Sequence, residues 1–228
     1  MEESAAPMEL NNIFTNIEFF FFIIVINILF FLFFKKISSI LKIYDKPDNI
    51  RKFQVNVTPL LGGVLFFINL SLITIYSFLY FEETSSNNLF NNYREFYSLF
   101  VTSMFIFFIG VYDDKYSLKP NTKFIYLSIV VLSALLLDDN LSISSLNVEF
   151  INRSIPLYNF SIFFTLFCFL LFINALNMFD GINLQVGFYI LFLLLIFIIL
   201  DTSIFLSLSL IFPMIIFLIL NSKGKTFL

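Results

Sequence analysis

Two adjacent carboxylates, Asp113 and Asp114, end an apolar stretch and are followed by three lysines within the segment GVYDDKYSLKPNTK. Carboxylates are costly next to hydrocarbon, so this pair must meet water, a cation or the protein interior. Carboxylates can bind a hard metal ion or accept a proton, and lysines can neutralise phosphate. The pair could also do no more than mark the point where a helix leaves the membrane.

A second cluster of polar side chains lies at the end of a later apolar stretch. It consists of Asn174, Asn177 and Asp180, and Gly181 follows it. On a helix of 3.6 residues per turn these three side chains fall within an arc of about 120°. An amide both donates and accepts hydrogen bonds, so it can orient a carboxylate or bind the edge of a base or sugar. The alternatives are hydrogen bonding between helices and a simple helix stop.

A basic loop, residues 35–59, contains six Lys and Arg residues and leads into Gly62 and Gly63. Lys and Arg bind phosphate by charge, and paired glycines allow the backbone to approach a ligand or another helix. The alternative is that the charges only orient the protein in the membrane and the glycines only serve helix packing.

The composition excludes an ordinary soluble domain. Hydrophobic residues make up 59% of the 228 residues and charged residues only 13%, and the mean hydropathy is +0.93. A typical soluble domain is about 25% charged. The sequence contains no histidine and a single cysteine, Cys168, which excludes His-ligated metals, His-based triads and disulfide frameworks in this chain.

The apolar runs predict an all-α, polytopic transmembrane helix bundle that forms one integral membrane domain over residues 1–228. The runs are continuous rather than alternating, which favours helices over a closed barrel. About seven of them are long enough, with their flanks, to cross a hydrocarbon core of about 30 Å. The predicted spans are 19–34, 60–81, 96–112, 120–137, 158–176, 182–200 and 204–220. A short hairpin is expected within residues 142–157.

The basic residues predict the orientation, because an excess of Lys and Arg marks the cytoplasmic side. Eleven of the thirteen fall after predicted spans one, three and seven, and only Arg94 and Arg153 fall on the other side. We therefore expect the N-terminus outside and the C-terminus in the cytoplasm. The aspartate pair, the polar cluster from Asn174 to Asp180 and the basic loop then all lie at the cytoplasmic face.

Taken together, the segments DKPDNIRK, TPLLGG, VYDDKYSLKPNTKF and NALNMFDGIN resemble those of the polyprenyl-phosphate N-acetylhexosamine-1-phosphate transferases. This is glycosyltransferase family 4, which includes translocase I of peptidoglycan synthesis and the initiating enzymes of O-antigen and teichoic-acid synthesis. The resemblance runs from about Tyr44 to the C-terminus. It is closest to the O-antigen or capsule branch.

The resemblance implies transfer of a sugar-1-phosphate from a UDP-N-acetylhexosamine to polyprenyl (undecaprenyl) phosphate in the bacterial inner membrane, with release of UMP. Asp113 and Asp114 would be the catalytic pair and would also bind Mg²⁺, or Mn²⁺ in its place. The nucleotide-sugar site would use Asn174, Asn177 and Asp180. Phosphate would be bound by Lys46, Arg51 and Lys123. No nucleic-acid partner is implied, and a homodimer is left open.

The sequence departs from the family pattern at two places. Gln54 stands where many relatives have a histidine, and residues 221–228 resemble the approach to the family's metal-binding Gly-Asp-x-Gly segment, which is expected after Leu228. A C-terminally truncated family member is therefore expected, and residues 1–228 alone are expected to insert in the membrane without catalysing transfer. Two other functions stay open: a catalytically incomplete relative that acts as a membrane binding or assembly protein, and a cation-coupled transporter with Asn27 and Pro213 as its mid-span residues.

Overall fold

The computed structural model describes residues 6–45, 57–80, 92–148, 153–179, 184–200, 203–224 and 226. Helices contain 82% of this part of the chain, which confirms the all-α prediction. In chain order the elements are α1 (Ala6–Leu41), β1 (Tyr44–Asp45), β2 (Thr58–Pro59), α2 (Gly62–Leu79), α3 (Tyr93–Tyr116), α4 (Pro120–Leu137), β3 (Ser145–Val148), β4 (Arg153–Pro156), α5 (Ser161–Phe179), α6 (Gln185–Ile199) and α7 (Ile204–Ser222).

Within the described residues, six helices are long and apolar enough to cross a membrane, so the polytopic bundle is confirmed. The sixth predicted span, 182–200, gives a shorter helix, α6, of 15 residues. At 1.5 Å per residue α6 is about 22 Å long, less than a core of about 30 Å. It starts late because Leu184, just before it, has a left-handed backbone (φ 71°). The orientation stays a prediction.

The helices form two compact units. Unit 1 consists of residues 1–90 and 183–228 and contains α1, α2, α6 and α7. Unit 2, residues 91–182, contains α3, α4 and α5. The prediction of a single integral membrane domain stays a prediction, and each unit is described by itself.

Unit 1 is built around α7, which packs against α1, α2 and α6. The apolar window of α7 is 56% buried, the highest share among the candidate spans of the described chain. Its side chains Met214 and Phe217 join Leu61 and Leu65 in a buried cluster. Close packing of large apolar side chains gives such a cluster its stability, since each contact is weak and the sum is large.

A pair of amides links α1 to α2 inside unit 1. Asn27 Nδ2 donates to Asn69 Oδ1 at 2.6 Å, and Asn69 Nδ2 donates back to Asn27 Oδ1 at 3.0 Å. Each Nδ2 also donates to the carbonyl four residues earlier, on Ile23 and Leu65. Both side chains are fully buried. Side-chain hydrogen bonds of this kind hold transmembrane helices together.

Gly187 lets α6 approach α7 closely. A Cβ atom at this position would lie 2.6 Å from Leu218 Cδ2 and 3.2 Å from Phe217 Cε1. We expect Gly187→Val to lower the free energy of unfolding by about 1–3 kcal/mol through overpacking. Thermal unfolding in micelles measures this loss.

The matched control is Gly110→Val in α3, because a Cβ there meets no described atom within 4 Å. An equal loss in both variants would show that the loss does not come from the contact between α6 and α7.

In unit 2, α4 packs against both α3 and α5. The predicted hairpin is confirmed: β3 and β4 pair antiparallel between α4 and α5. The first turn of α5 holds the chain before the hairpin, since Ser161 Oγ donates to the Ile143 carbonyl (2.7 Å) and Thr165 Oγ1 accepts from the Ile143 N–H (2.8 Å). α5 therefore begins at the end of the unit where α4 ends.

Candidate functional site

The turn between α3 and α4 is organised by Asp113. The sequence predicts that the third span ends at residue 112, but α3 continues to Tyr116, so both aspartates lie in its last turn. The helix ends because Ser117 adopts a left-handed backbone (φ 51°), and its N–H donates to the Asp113 carbonyl at 2.7 Å. This is the single backbone bond of a left-handed helix cap.

Both carboxylate oxygens of Asp113 have partners. Oδ1 accepts from the Leu118 N–H at 2.9 Å, and Oδ2 lies 2.8 Å from Lys123 Nζ in the first turns of α4. The Asp113 and Lys123 side chains are 21% and 27% exposed. A cation is unfavourable near a helix N-terminus and an anion near a C-terminus, and the ion pair offsets both effects. Asp113 therefore has a structural role in the turn.

Asp114 has a different environment. It follows Asp113 by one residue on the same helix, so its side chain leaves the helix about 100° further round. Asp114 is exposed, whereas Asp113 is partly buried. Of the two carboxylates, Asp114 is the more accessible to solvent.

Asn174 and Asn177 lie in the last turns of α5, and both are exposed. Asn174 Nδ2 lies 4.0 Å from Met178 Sδ, a weak contact. Because α5 begins where α4 ends and packs against it, its last turns run toward the end of unit 2 where α4 begins. The two amides are thus at the same end of this unit as Asp113 and Lys123.

Three of the predicted site residues, Lys46, Arg51 and Asp180, lie outside the described residues, as does Gln54. Of the predicted residues that are described, the structure brings Asp113 and Lys123 into direct contact.

A cavity of about 250 Å³ lies in unit 2 between α3, α4 and α5, and is lined by residues such as Ile106, Val131 and Phe169. None of the predicted site residues lines it.

The described carboxylates Asp113 and Asp114 fit only a partial magnesium site. Among the described residues, no three His, Cys, Asp or Glu side chains are grouped so that they could hold a metal ion together. Mg²⁺ in phosphate-transfer sites is held by one or two carboxylates together with waters and substrate phosphates, rather than by a complete protein cage. Asp114, with Asp113 beside it, has the chemistry for such a partial site.

Two buried polar residues of unit 1 were missed by the sequence reasoning. Asn221 and Thr226 are 3% and 1% exposed, and they form hydrogen bonds to the segments that precede α2 and α6. Asn221 at the end of the apolar run of α7 was a sequence signal, because an amide that is buried there needs hydrogen-bond partners. Those partners lie up to 167 residues away in the chain, which no local pattern reveals.

Comparison with known proteins identifies the family. No curated protein and no solved structure matches the chain. Residues 96–228 match Glycosyl transferase family 4, whose membrane-bound members use a nucleotide-sugar donor and a lipid acceptor. The match covers more than half of the chain and contains Asp113, Lys123 and the residues from Asn174 to Asp180. The chain therefore belongs to Glycosyl transferase family 4, as its motifs indicated, and is a multi-pass membrane transferase of the polyprenyl-phosphate sugar-1-phosphate kind.

Proposed function

We propose that this protein transfers N-acetylhexosamine-1-phosphate from a UDP-sugar to polyprenyl phosphate and so initiates a cell-envelope polysaccharide at the bacterial inner membrane. The observation that carries the proposal is the family match over residues 96–228, which includes the accessible carboxylate Asp114. The six apolar helices are consistent with a lipid acceptor that stays in the membrane.

The proposed reaction is a phosphoryl transfer. A phosphate oxygen of the lipid attacks the β-phosphorus of the UDP-sugar, and the bond from that phosphorus to the bridging oxygen breaks. UMP leaves with the electron pair, and a polyprenyl-diphospho-sugar is formed. Catalysis of this kind consists mainly of positioning and of neutralising charge. Mg²⁺ bound to the diphosphate would supply part of that neutralisation.

We propose different roles for the two adjacent aspartates. Asp114 is exposed and would hold the metal ion or take the proton of the lipid phosphate. Asp113 already accepts from Leu118 and Lys123, so it would keep Lys123 and the turn in place and bind metal through the lone pairs that remain.

The other predicted residues would bind the substrates. An ammonium group has three donors, so Lys123 can contact a phosphate while it pairs with Asp113. Lys46 and Arg51 would add positive charge to the same substrates. The exposed amides Asn174 and Asn177, with Asp180, would bind the nucleotide sugar.

The test is an assay of the purified full-length protein with undecaprenyl phosphate, radiolabelled UDP-N-acetylglucosamine or UDP-N-acetylgalactosamine, and Mg²⁺ or Mn²⁺. We expect labelled lipid and UMP to appear in equal amounts, and both to disappear with EDTA. Binding of labelled nucleotide sugar without UMP release would reject transfer and favour a binding or assembly protein.

A further inference from the structure

Unit 2 contains a cavity that the proposed reaction does not use. Its volume of about 250 Å³ exceeds that of an engineered apolar cavity of about 150 Å³ that binds benzene. It lies between the first half of α3, the second half of α4 and the first half of α5. Asp113 and Lys123 are at the opposite ends of α3 and α4, so the cavity is separate from the site that contains them.

The surface that the cavity exposes is almost wholly apolar. Its lining includes Leu99, Ile106, Val131, Leu135 and Phe169. The cavity is partly open, so a ligand can enter it. The medium around a membrane-spanning chain is hydrocarbon, and lipid tails are as apolar as leucine side chains. The lining therefore favours a hydrocarbon chain as the ligand.

One polar group in the lining has no partner. Ser98 is 1% exposed, and its Oγ is a buried atom without a hydrogen bond in the described part of the chain. By contrast, Ser103 Oγ donates to the Phe100 carbonyl at 2.9 Å, and Thr165 Oγ1 donates to the Ser161 carbonyl at 2.8 Å. Serine and threonine in a helix commonly satisfy their hydroxyls in this way. A buried hydroxyl without such a bond is uncommon and favours a ligand that supplies the partner.

The depth of Ser98 in the membrane indicates which polar group the ligand carries. α3 has 24 residues and is about 36 Å long, about 6 Å more than the hydrocarbon core. Ser98 is the sixth residue of α3 and lies about 8 Å from its start, close to the edge of the core. At this depth phospholipids carry ester carbonyls, between the headgroup and the chains. A serine hydroxyl can donate to such a carbonyl.

We propose that the cavity of unit 2 binds the acyl chain of an ester-linked phospholipid, with the ester carbonyl accepting from Ser98 Oγ. The chain gives the apolar lining the dispersion contacts that a void lacks. It joins α3, α4 and α5 at the end of the unit where the hairpin of β3 and β4 lies. This inference does not depend on the proposed transfer reaction, because neither the cavity nor Ser98 takes part in it.

Competition between an ester lipid and an ether lipid tests the hydrogen bond. The full-length protein in alkyl maltoside micelles receives equal amounts of dioleoylphosphatidylcholine and its diether analogue, which lacks the carbonyls. Native mass spectrometry measures which lipid stays bound. We expect the ester lipid to be preferred about two- to tenfold, the effect of one hydrogen bond.

Variants at position 98 assign this preference to the hydroxyl. Ser98→Ala should remove the preference, and Ser98→Thr, which keeps a hydroxyl, should retain it. The matched control is Ser133→Ala, because Ser133 is an exposed serine of α4 that bonds within its own helix. It should bind the two lipids as the wild type does.

Photolabelling tests the place of binding. A phosphatidylcholine with a diazirine in its acyl chain should label residues of the lining such as Val131 and Phe169. Ala134→Leu fills part of the cavity and should reduce this labelling at least about fivefold. Thr102→Leu, on α3, should do the same, and it replaces Ala134→Leu if that variant does not fold. Ala175→Leu, at an exposed position of α5, is the control and should leave the labelling unchanged.

Three results would overturn the proposal. The first is equal binding of the ester and ether lipids by the wild type, or a preference that survives in Ser98→Ala. The second is labelling of the lining that Ala134→Leu and Thr102→Leu do not reduce more than Ala175→Leu does. The third is displacement of the label by an equimolar amount of undecaprenyl phosphate. That lipid has no carbonyl, so its binding would assign the cavity to the polyprenyl chain instead.

Discussion

Replacing Asp114 by asparagine is expected to reduce the rate of sugar-phosphate transfer by about 10²–10⁴-fold, the contribution of general acid–base catalysis by one group. The amide keeps the shape of the carboxylate but loses the charge needed by a metal ion or a proton. Because Asp114 is exposed, the melting temperature should stay close to that of the wild type. Initial rates of lipid-linked product formation and thermal unfolding in micelles measure the two effects.

Asp113→Asn should differ from Asp114→Asn in stability. The amide oxygen can still accept from the Leu118 N–H, but an amide nitrogen in place of Oδ2 cannot accept from Lys123. The variant should therefore lose activity and also unfold at a lower temperature. Adding Lys123→Met should recover part of the stability, because it removes the unpaired cation, and none of the activity.

The control for both variants is Lys36→Ala, an exposed charge in unit 1 that serves the predicted orientation. It should have little effect on turnover. Near-normal transfer by Asp114→Asn would reject the catalytic role of that residue. Near-normal transfer by Asp113→Asn would leave Asp113 with the structural role alone.

The second large effect is expected at the amide pair of α1 and α2. Asn27→Leu removes both hydrogen bonds between the Asn69 amide and α1. Asn69 Nδ2 keeps its bond to the Leu65 carbonyl, but the buried Oδ1 loses its partner, which costs about 1–3 kcal/mol. In membranes a single side-chain hydrogen bond contributes less, on average about 0.6 kcal/mol. We therefore expect a loss of about 1–2 kcal/mol, measured by reversible unfolding in mixed micelles.

The double variant Asn27→Leu/Asn69→Leu should be more stable than the sum of the single losses predicts, because no buried amide is left without its partner. Ile28→Leu, at an exposed position of α1, is the control. Additive losses would show that the two amides act independently. The two amides bond to each other inside the protein, which argues against the transporter alternative in which Asn27 is a mid-span candidate.

The helices were largely predictable from the sequence, whereas their ends were not. Apolar runs decide where a chain can cross hydrocarbon, so α2, α4 and α7 lie close to their predicted ranges. Where a helix begins or ends depends on single residues with a left-handed backbone, such as Ser117 and Leu184. Neither is a glycine, so their conformation depends on hydrogen bonds that the sequence does not reveal.

The candidate site was predictable where its residues are near each other in the chain. Asp113 and Lys123 are ten residues apart across one turn, and the motif that contains both pointed to their chemistry. Asp113 also helps to end α3, because its carbonyl and its carboxylate accept from the Ser117 and Leu118 N–H groups. Asn221 and Thr226 were missed because their partners are brought close only by the packing of α7 against the other helices.

The exposure of phenylalanine has a consequence for how this sequence can change over evolutionary time. In the described chain more phenylalanines are exposed than buried, for example Phe163 and Phe167 of α5, whose apolar window is only 11% buried. Insertion into a membrane favours Leu, Ile, Phe and Val by similar amounts, about 0.3–0.6 kcal/mol per residue. Exchange among these residues at such positions is therefore close to selectively neutral. The base composition of the gene can then decide which of them is used.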